Sequence, residues 1–203
     1  MKPPSPLQTK QWIKPLLFIL CLLPFLWLLY GLQQDLYPDP LKTLTQQTGL
    51  WALRLLLLTL CVTPLRKLTG WHALITLRRL LGLFAFFYAL LHVATWVIFE
   101  QNFDLGGMWR DVLERPYITI GFLSFLGLLP LALTSNNAMI RRLGGQTWQR
   151  LHRLVYPIAI GVILHFWWSV KLDIRDPLLY ALLLALLLGL RYRRQSKPPS
   201  LIS

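Results

Sequence analysis

Only three ionisable side chains, Arg54, His92 and His165, fall inside the long apolar runs of this 203-residue sequence. An imidazole or guanidinium in hydrocarbon needs a partner, so each is a functional-site candidate by default. His92 stands seven residues before the end of its run, about 10 Å deep at 1.5 Å per residue. His165 stands six residues before Lys171, about 9 Å deep, and Arg54 five residues past Gly49, about 7 Å deep. The count predicts three costly residues on three helices in one layer near the outer face. Two neutral imidazoles at one depth on separate helices suit the axial positions of a haem iron. A buried arginine at that level suits a haem propionate. Phe86, Phe87, Tyr88, Trp96, Phe166, Trp167 and Trp168 supply a flat apolar surround. The plainer alternatives are hydrogen-bonded structural histidines, an interfacial aromatic belt for Trp167 and Trp168, and an Arg54 that pairs with carbonyls or snorkels outward.

His152 lies thirteen residues before His165, about 20 Å lower on a continuous helix. A second haem there would complete a transmembrane electron wire. Thirteen steps of about 100° leave the two rings roughly 140° apart unless Pro157 rewinds the helix. The third run has no histidine to match, because Arg78 and Arg79 occupy the corresponding positions. His72 could reach the same face. Otherwise His152 is an interfacial histidine in a basic loop.

The elements that must position these residues are membrane spans. Hydrophobic residues make up 55% of the chain and charged ones 14%, well under the quarter expected of a soluble domain. Six spans are expected, at 16–32, 49–65, 80–99, 116–133, 154–170 and 177–190, forming one all-α bundle embedded in lipid. The first, preceded by Lys2, Lys10 and Lys14, has no small-residue cleavage site and is expected to be a retained helix. Pro116 and Pro177 suit first-turn positions, whereas Pro24, Pro130 and Pro157 should kink their spans. The last span is short, with ends that can extend to Asp176 and Tyr192 while Arg191 snorkels. Outside the spans, fifteen Lys and Arg residues fall on one side and five on the other, so both termini are expected in the cytoplasm. All eight acids fall in the outer loops.

The net charge of +13 does not indicate nucleic acid, since the basic residues flank apolar helices instead of forming a solvent-facing patch. Cys21 and Cys61 are isolated and read as buried thiols. No span holds Asp or Glu, which argues against a carboxylate proton relay or cation-coupled transporter. No GxGxxG or other nucleotide fingerprint appears, and the tail from Arg191 leaves no room for a flavin or nicotinamide domain. Electrons, if carried, are expected to arrive from elsewhere and leave to another protein, for which Glu100, Asp104, Asp111 and Glu114 offer an acidic outer surface.

Short strings in order along nearly the whole chain carry a resemblance: LLPFLWL at 22–28, TLCVTPLR at 59–66, RRLLGLF at 78–84, LH at 91–92, RPYITIG at 115–121, LALTS at 131–135, WQRLHRLVY at 148–156, HFWWSVK at 165–171 and LRYRR at 190–194. The chain resembles the haem-binding membrane subunits of the periplasmic methionine-sulfoxide reductase system (MsrQ, or YedZ), a bacterial branch of the ferric-reductase-like transmembrane proteins. The resemblance implies a single domain over 1–203, a six-helix b-type cytochrome of the inner membrane with one or two haems b and an associated flavin mononucleotide (FMN). It implies electrons taken from a quinol pool or a cytoplasmic flavin reductase. They would pass to a periplasmic molybdopterin enzyme that reduces methionine sulfoxide in oxidised proteins, with no sulfoxide-reducing site in this chain. The family's haem histidines map onto His92, His152 and His165. The third span lacks the second histidine of the wider superfamily. No flavin site follows, although Arg141, Arg142 and Arg150 form a basic face that would suit a phosphate. The alternatives are a stand-alone transmembrane ferric or quinone reductase, and a non-redox scaffold or small transporter whose histidines bridge helices.

Overall fold

The computed structural model describes residues 9–170 and 173–192; Lys2, Lys171 and the basic residues beyond Tyr192 lie outside them. It is all helix, with no strand among the described residues. Five helical runs are long and apolar enough to cross a membrane: Gln11–Gln33, Pro40–Thr69, His72–Glu100, Pro116–Leu133 and Gly145–Ser169. The chain is therefore a multi-pass membrane protein. A further 18-residue helix, Arg175–Tyr192, carries Arg175, Asp176 and Arg191 at its ends and is not among the five.

Helix α1 (Lys14–Gln33) continues a π-helical turn at Thr9–Ile13. Pro24 breaks its hydrogen-bond ladder, and the Tyr88 hydroxyl enters the gap. Phe25 N–H donates to Tyr88 Oη (3.0 Å), which donates to the Cys21 carbonyl (2.8 Å). Tyr88 is fully buried, so its hydroxyl repairs α1 instead of facing a cofactor. Phe87 likewise packs edge-on to Phe25, whereas Phe86 stacks on Phe125.

Helix α2 (Pro40–Thr69) is far longer than the expected span from Gly49, because Asp39 caps it and Pro40 opens it. The Asp39 carboxylate accepts from the Lys42 N–H at 3.0 Å, which is the usual repair of a free helix N-terminus. α2 is the central rod, burying Leu53, Leu55, Leu56, Leu57 and Leu60. It ends at Gly70, whose φ of +69° is a left-handed cap. Helix α3 (Arg78–Thr95) packs along it and widens into a π-helical turn, Trp96–Glu100. The outer loop that follows folds as a short amphipathic helix, α4 (Leu105–Glu114), capped by Asp104. Asp111 accepts from Gln101 (2.6 Å) and pairs with Arg115 (3.3 Å). Asp104 and Asp111 are thus occupied with local structure.

Helix α5 (Pro116–Leu133) has Pro116 at its first turn and Pro130 inside. Two short helices follow, α6 (Asn137–Leu143) and α7 (Gly145–His152), before α8 (Val155–Ser169). The continuous helix expected between His152 and His165 is interrupted by a turn at residues 153–154, at the start of the expected span. Pro157 then sits in the first turn of α8, where its missing N–H costs nothing. α5 and α8 approach closely through small residues, since a Cβ on Gly161 would meet Ser124 Oγ at 2.5 Å and one on Gly127 would meet Ile158 at 3.0 Å. Helix α9 (Arg175–Tyr192) extends as far as expected, but Arg191 does not snorkel outward. It turns inward, donating to Tyr156 Oη at 2.5 Å and to the Leu60 carbonyl, and so ties α9 to α8 and α2.

Candidate functional site

The fold brings His92 of α3 and His165 of α8 next to each other, one ring edge-on to the other. Their ring centroids are 6.0 Å apart with the planes at 73°. The same device holds each ring. His92 Nδ1 lies 2.9 Å from the Thr45 carbonyl, and His165 Nδ1 lies 2.7 Å from the Tyr117 carbonyl. A carbonyl can only accept, so each Nδ1 carries the proton and each Nε2 keeps its lone pair. Neither Nε2 has a hydrogen-bond partner among the described residues.

Each carbonyl belongs to a residue four positions before a glycine. A Cβ on Gly49 would stand 3.1 Å from His92 Cε1 and Nδ1, and one on Gly121 would stand 2.6 Å from His165 Nδ1. Glycine opens the helix surface so that the ring reaches the second lone pair of the carbonyl behind it. His92 is gripped a second time. Thr45 Oγ1 donates to Thr95 Oγ1 (3.2 Å), which donates to the His92 carbonyl (2.7 Å). One turn beyond His92, the Trp96 indole N–H is buried without a partner.

Two imidazoles that share one metal through bonds of about 2 Å place their ring centres about 6 Å apart, the separation found here. Rings that share the bond axis can take any angle about it. Among the described residues no group of three or more His, Cys, Asp or Glu side chains could hold a metal ion. An ion at the pair must therefore bring its remaining ligands with it, as iron does in a porphyrin. The donor set fits such a group.

The other two expected residues lie elsewhere. Gly49 marks the level of His92 on α2, so Arg54, five residues further on, is about 7 Å deeper and outside the layer. Its Nε donates to Tyr180 Oη at 2.9 Å and its guanidinium lies over the Trp51 ring at 5.0 Å. His152 ends α7 and has a partner near each ring nitrogen, Trp148 O at 3.1 Å and Ser135 Oγ at 3.4 Å, while it stacks on Trp148 at 3.8 Å. His72 is exposed in a 3₁₀ turn. Trp168 is exposed on the outside of α8, as a belt residue would be. Thr45, Gly49, Thr95, Tyr117 and Gly121 were not evident from the sequence, because none is ionisable and their role depends on a neighbouring helix.

Two neighbouring imidazoles on separate helices of a multi-pass membrane protein form the donor set of a bis-histidine metal site. The family model described as "Ferric reductase like transmembrane component" matches residues 48–163, which span Gly49 through most of α8. The chain is 51% identical over 190 residues to the protein-methionine-sulfoxide reductase heme-binding subunit MsrQ of Azospira oryzae, covering 93% of this chain and 81% of that protein. It is 50% identical to the same-named subunit of Herminiimonas arsenicoxydans, with 93% and 87% covered. It is 46% identical to that of Ralstonia nicotianae, with 94% and 88% covered. The chain belongs to the MsrQ family of ferric-reductase-like transmembrane proteins. No solved structure matches it.

Proposed function

We propose that the chain is the haem-binding, electron-carrying membrane subunit of a methionine-sulfoxide reductase system, with His92 and His165 as the two axial ligands of one haem b. The observation that carries this is the neighbouring pair of imidazoles, 6.0 Å apart, each with Nδ1 committed to a carbonyl and Nε2 free. Bound there, haem would supply a one-electron ferric–ferrous couple. The Thr45 and Tyr117 carbonyls fix the tautomer and aim each Nε2, as hydrogen-bond acceptors behind metal-ligating histidines do. Gly49 and Gly121 leave room for the rings.

The finer features belong to the same proposal. The whole of 1–203 is one domain of six spans in a bacterial inner membrane with both termini cytoplasmic, α9 being the sixth. His152 is the candidate ligand of a second, inner haem, for which its Nε2 would exchange Ser135 for iron. Electrons come from the quinone pool or a cytoplasmic flavin reductase, with FMN as a further cofactor. They leave to a periplasmic molybdopterin-dependent reductase that docks on the outer loops.

An absorption spectrum of the purified chain with a pyridine haemochrome count tests this. A low-spin b-type spectrum that reduces with dithionite is expected, abolished or altered in His92→Ala and His165→Ala. An unchanged spectrum in both variants refutes the pair as ligands.

A further inference from the structure

Helix α4, between the ends of α3 and α5, turns a second apolar row away from the protein. At 100° per residue its surface divides into three sectors about 120° apart. Met108, Asp111 and Val112 face the bundle, Val112 buried and the other two half-buried. Arg110 and Glu114 are exposed on the next sector. Leu105, Trp109 and Leu113, four residues apart, make the third and are 78%, 64% and 64% exposed. Phe103, in the turn before the helix, is exposed as well. A helix lying on a protein in water needs one apolar side, the side against the core. A second one, pointing outward, calls for a cover of its own.

Depth says what that cover is. α5 has eighteen residues, which makes about 27 Å of helix, close to the thickness of a hydrocarbon core of about 30 Å. Its first turn therefore lies at the hydrocarbon boundary. The Thr119 hydroxyl, three residues past Pro116, donates to the Val112 carbonyl. That bond holds the backbone of α4 about 4–5 Å below the end of the span. Tyr117 and Gly121, on either side of Thr119, are the residues that support His165. The C-terminal half of α4 thus lies alongside the span at the level of the histidines, while α3 runs on from His92 to Glu100, about 12 Å higher. At such a depth the outward row meets acyl chains. Tryptophan suits this boundary, and a helix with one apolar and one charged side beds about 5–10 Å into it. A soluble protein approaching from water meets the sector of Arg110 and Glu114 instead.

We infer that α4 is an interfacial anchor, with Leu105, Trp109 and Leu113 inserted among the acyl chains of the leaflet at the histidine end and Arg110 and Glu114 left in water. Because α4 is bonded to α5 beside Tyr117, the lipid contact steadies the end of the helix whose carbonyl holds His165. The inference rests on the membrane spans and not on the haem.

The test uses the full chain in phosphatidylcholine nanodiscs. With the unsubstituted chain, a phosphatidylcholine carrying a diazirine on its acyl chain is photolysed and the adducts are mapped by mass spectrometry. Adducts are expected on Leu105, Trp109 and Leu113, and none on Arg110 or Glu114. Separately, Trp109→Cys, Arg110→Cys, Leu113→Cys and Glu114→Cys are each placed in a chain carrying Cys21→Ala and Cys61→Ala and treated with a charged maleimide. The thiols at 109 and 113 should react about tenfold or more slowly than those at 110 and 114, because hydrocarbon disfavours the attacking thiolate. Equal rates at the four positions, or an apolar row without adducts, overturn the anchor. Slow thiols without acyl-chain adducts also overturn it, since the row would then be covered by a second copy of the chain. A melting curve identifies any variant that fails to fold, and the photolabelling needs no variant.

Discussion

Replacing Gly121 by alanine tests the geometry of the site without touching a ligand. The added Cβ would stand 2.6 Å from His165 Nδ1, 2.9 Å from Cε1 and 3.1 Å from Cγ. Ordinary carbon contacts need about 3.5 Å or more, so the ring must retreat by nearly an ångström or give up its bond to the Tyr117 carbonyl. Overpacking of this kind costs about 1–3 kcal/mol, and loss of a second-shell acceptor costs a metal site about 10–100-fold. Both point to a fall in haem affinity of roughly one to two powers of ten. Gly49→Ala is the internal control, because its Cβ meets His92 at 3.1 Å and asks for only a few tenths of an ångström. Haem-to-protein ratio by pyridine haemochrome, measured on both variants after equal haem limitation, should fall steeply for Gly121→Ala and slightly for Gly49→Ala. Alanine favours a helix over glycine by about 1 kcal/mol, so a general loss of helix stability would not explain the deficit. Equal occupancy in the two variants, or the reverse order, would refute the claim that these glycines make room for the rings.

Tyr88→Phe should cost about 1–3 kcal/mol of stability, since it strands the Phe25 N–H and Cys21 carbonyl of α1, yet leave the haem spectrum unchanged; thermal unfolding and the spectrum on one sample decide it. Thr45→Val removes the hydroxyl bond to Thr95 but keeps the carbonyl that holds His92, so full haem occupancy with a melting loss of about 1 kcal/mol is expected. Asp111→Asn breaks the ion pair with Arg115, whose side chain is half exposed, and should change stability by under about 1 kcal/mol; a large loss by thermal melting would show the outer loop to be more dependent on that pair than its exposure implies.

Five of the expected spans are legible because hydropathy is a long-range average that survives errors of a few residues. The start of α2 was missed for the same reason, since PLKTLTQQT averages out as polar, although Asp39-Pro40 is a readable cap followed by a first-turn proline. With the helix starting at Pro40, Arg54 lies deeper than the histidine layer in which a start at Gly49 would place it. Helix α4 also had its signals, the Asp104 cap and Leu105, Trp109 and Leu113 four apart, but the loop was read only for charge. The equal depth of His92 and His165 followed from counting residues. Their supports did not, because a main-chain carbonyl leaves no mark on the sequence and the useful property of Gly49 and Gly121 is the absence of an atom. Tyr88 shows the converse, an aromatic near the site by number whose hydroxyl is spent on the proline kink of another helix.

Both imidazoles are moored to peptide oxygens, which have no proton to gain or lose, where many metal-binding histidines lean on a carboxylate. Glu100 and Asp176 stand at span ends, and the interior of the spans adds no acid that could take up a proton when an electron arrives. A carrier built this way conducts charge without moving hydrogen. Any slope of its midpoint with pH should then come from the haem propionates and not from the groups that hold the two rings.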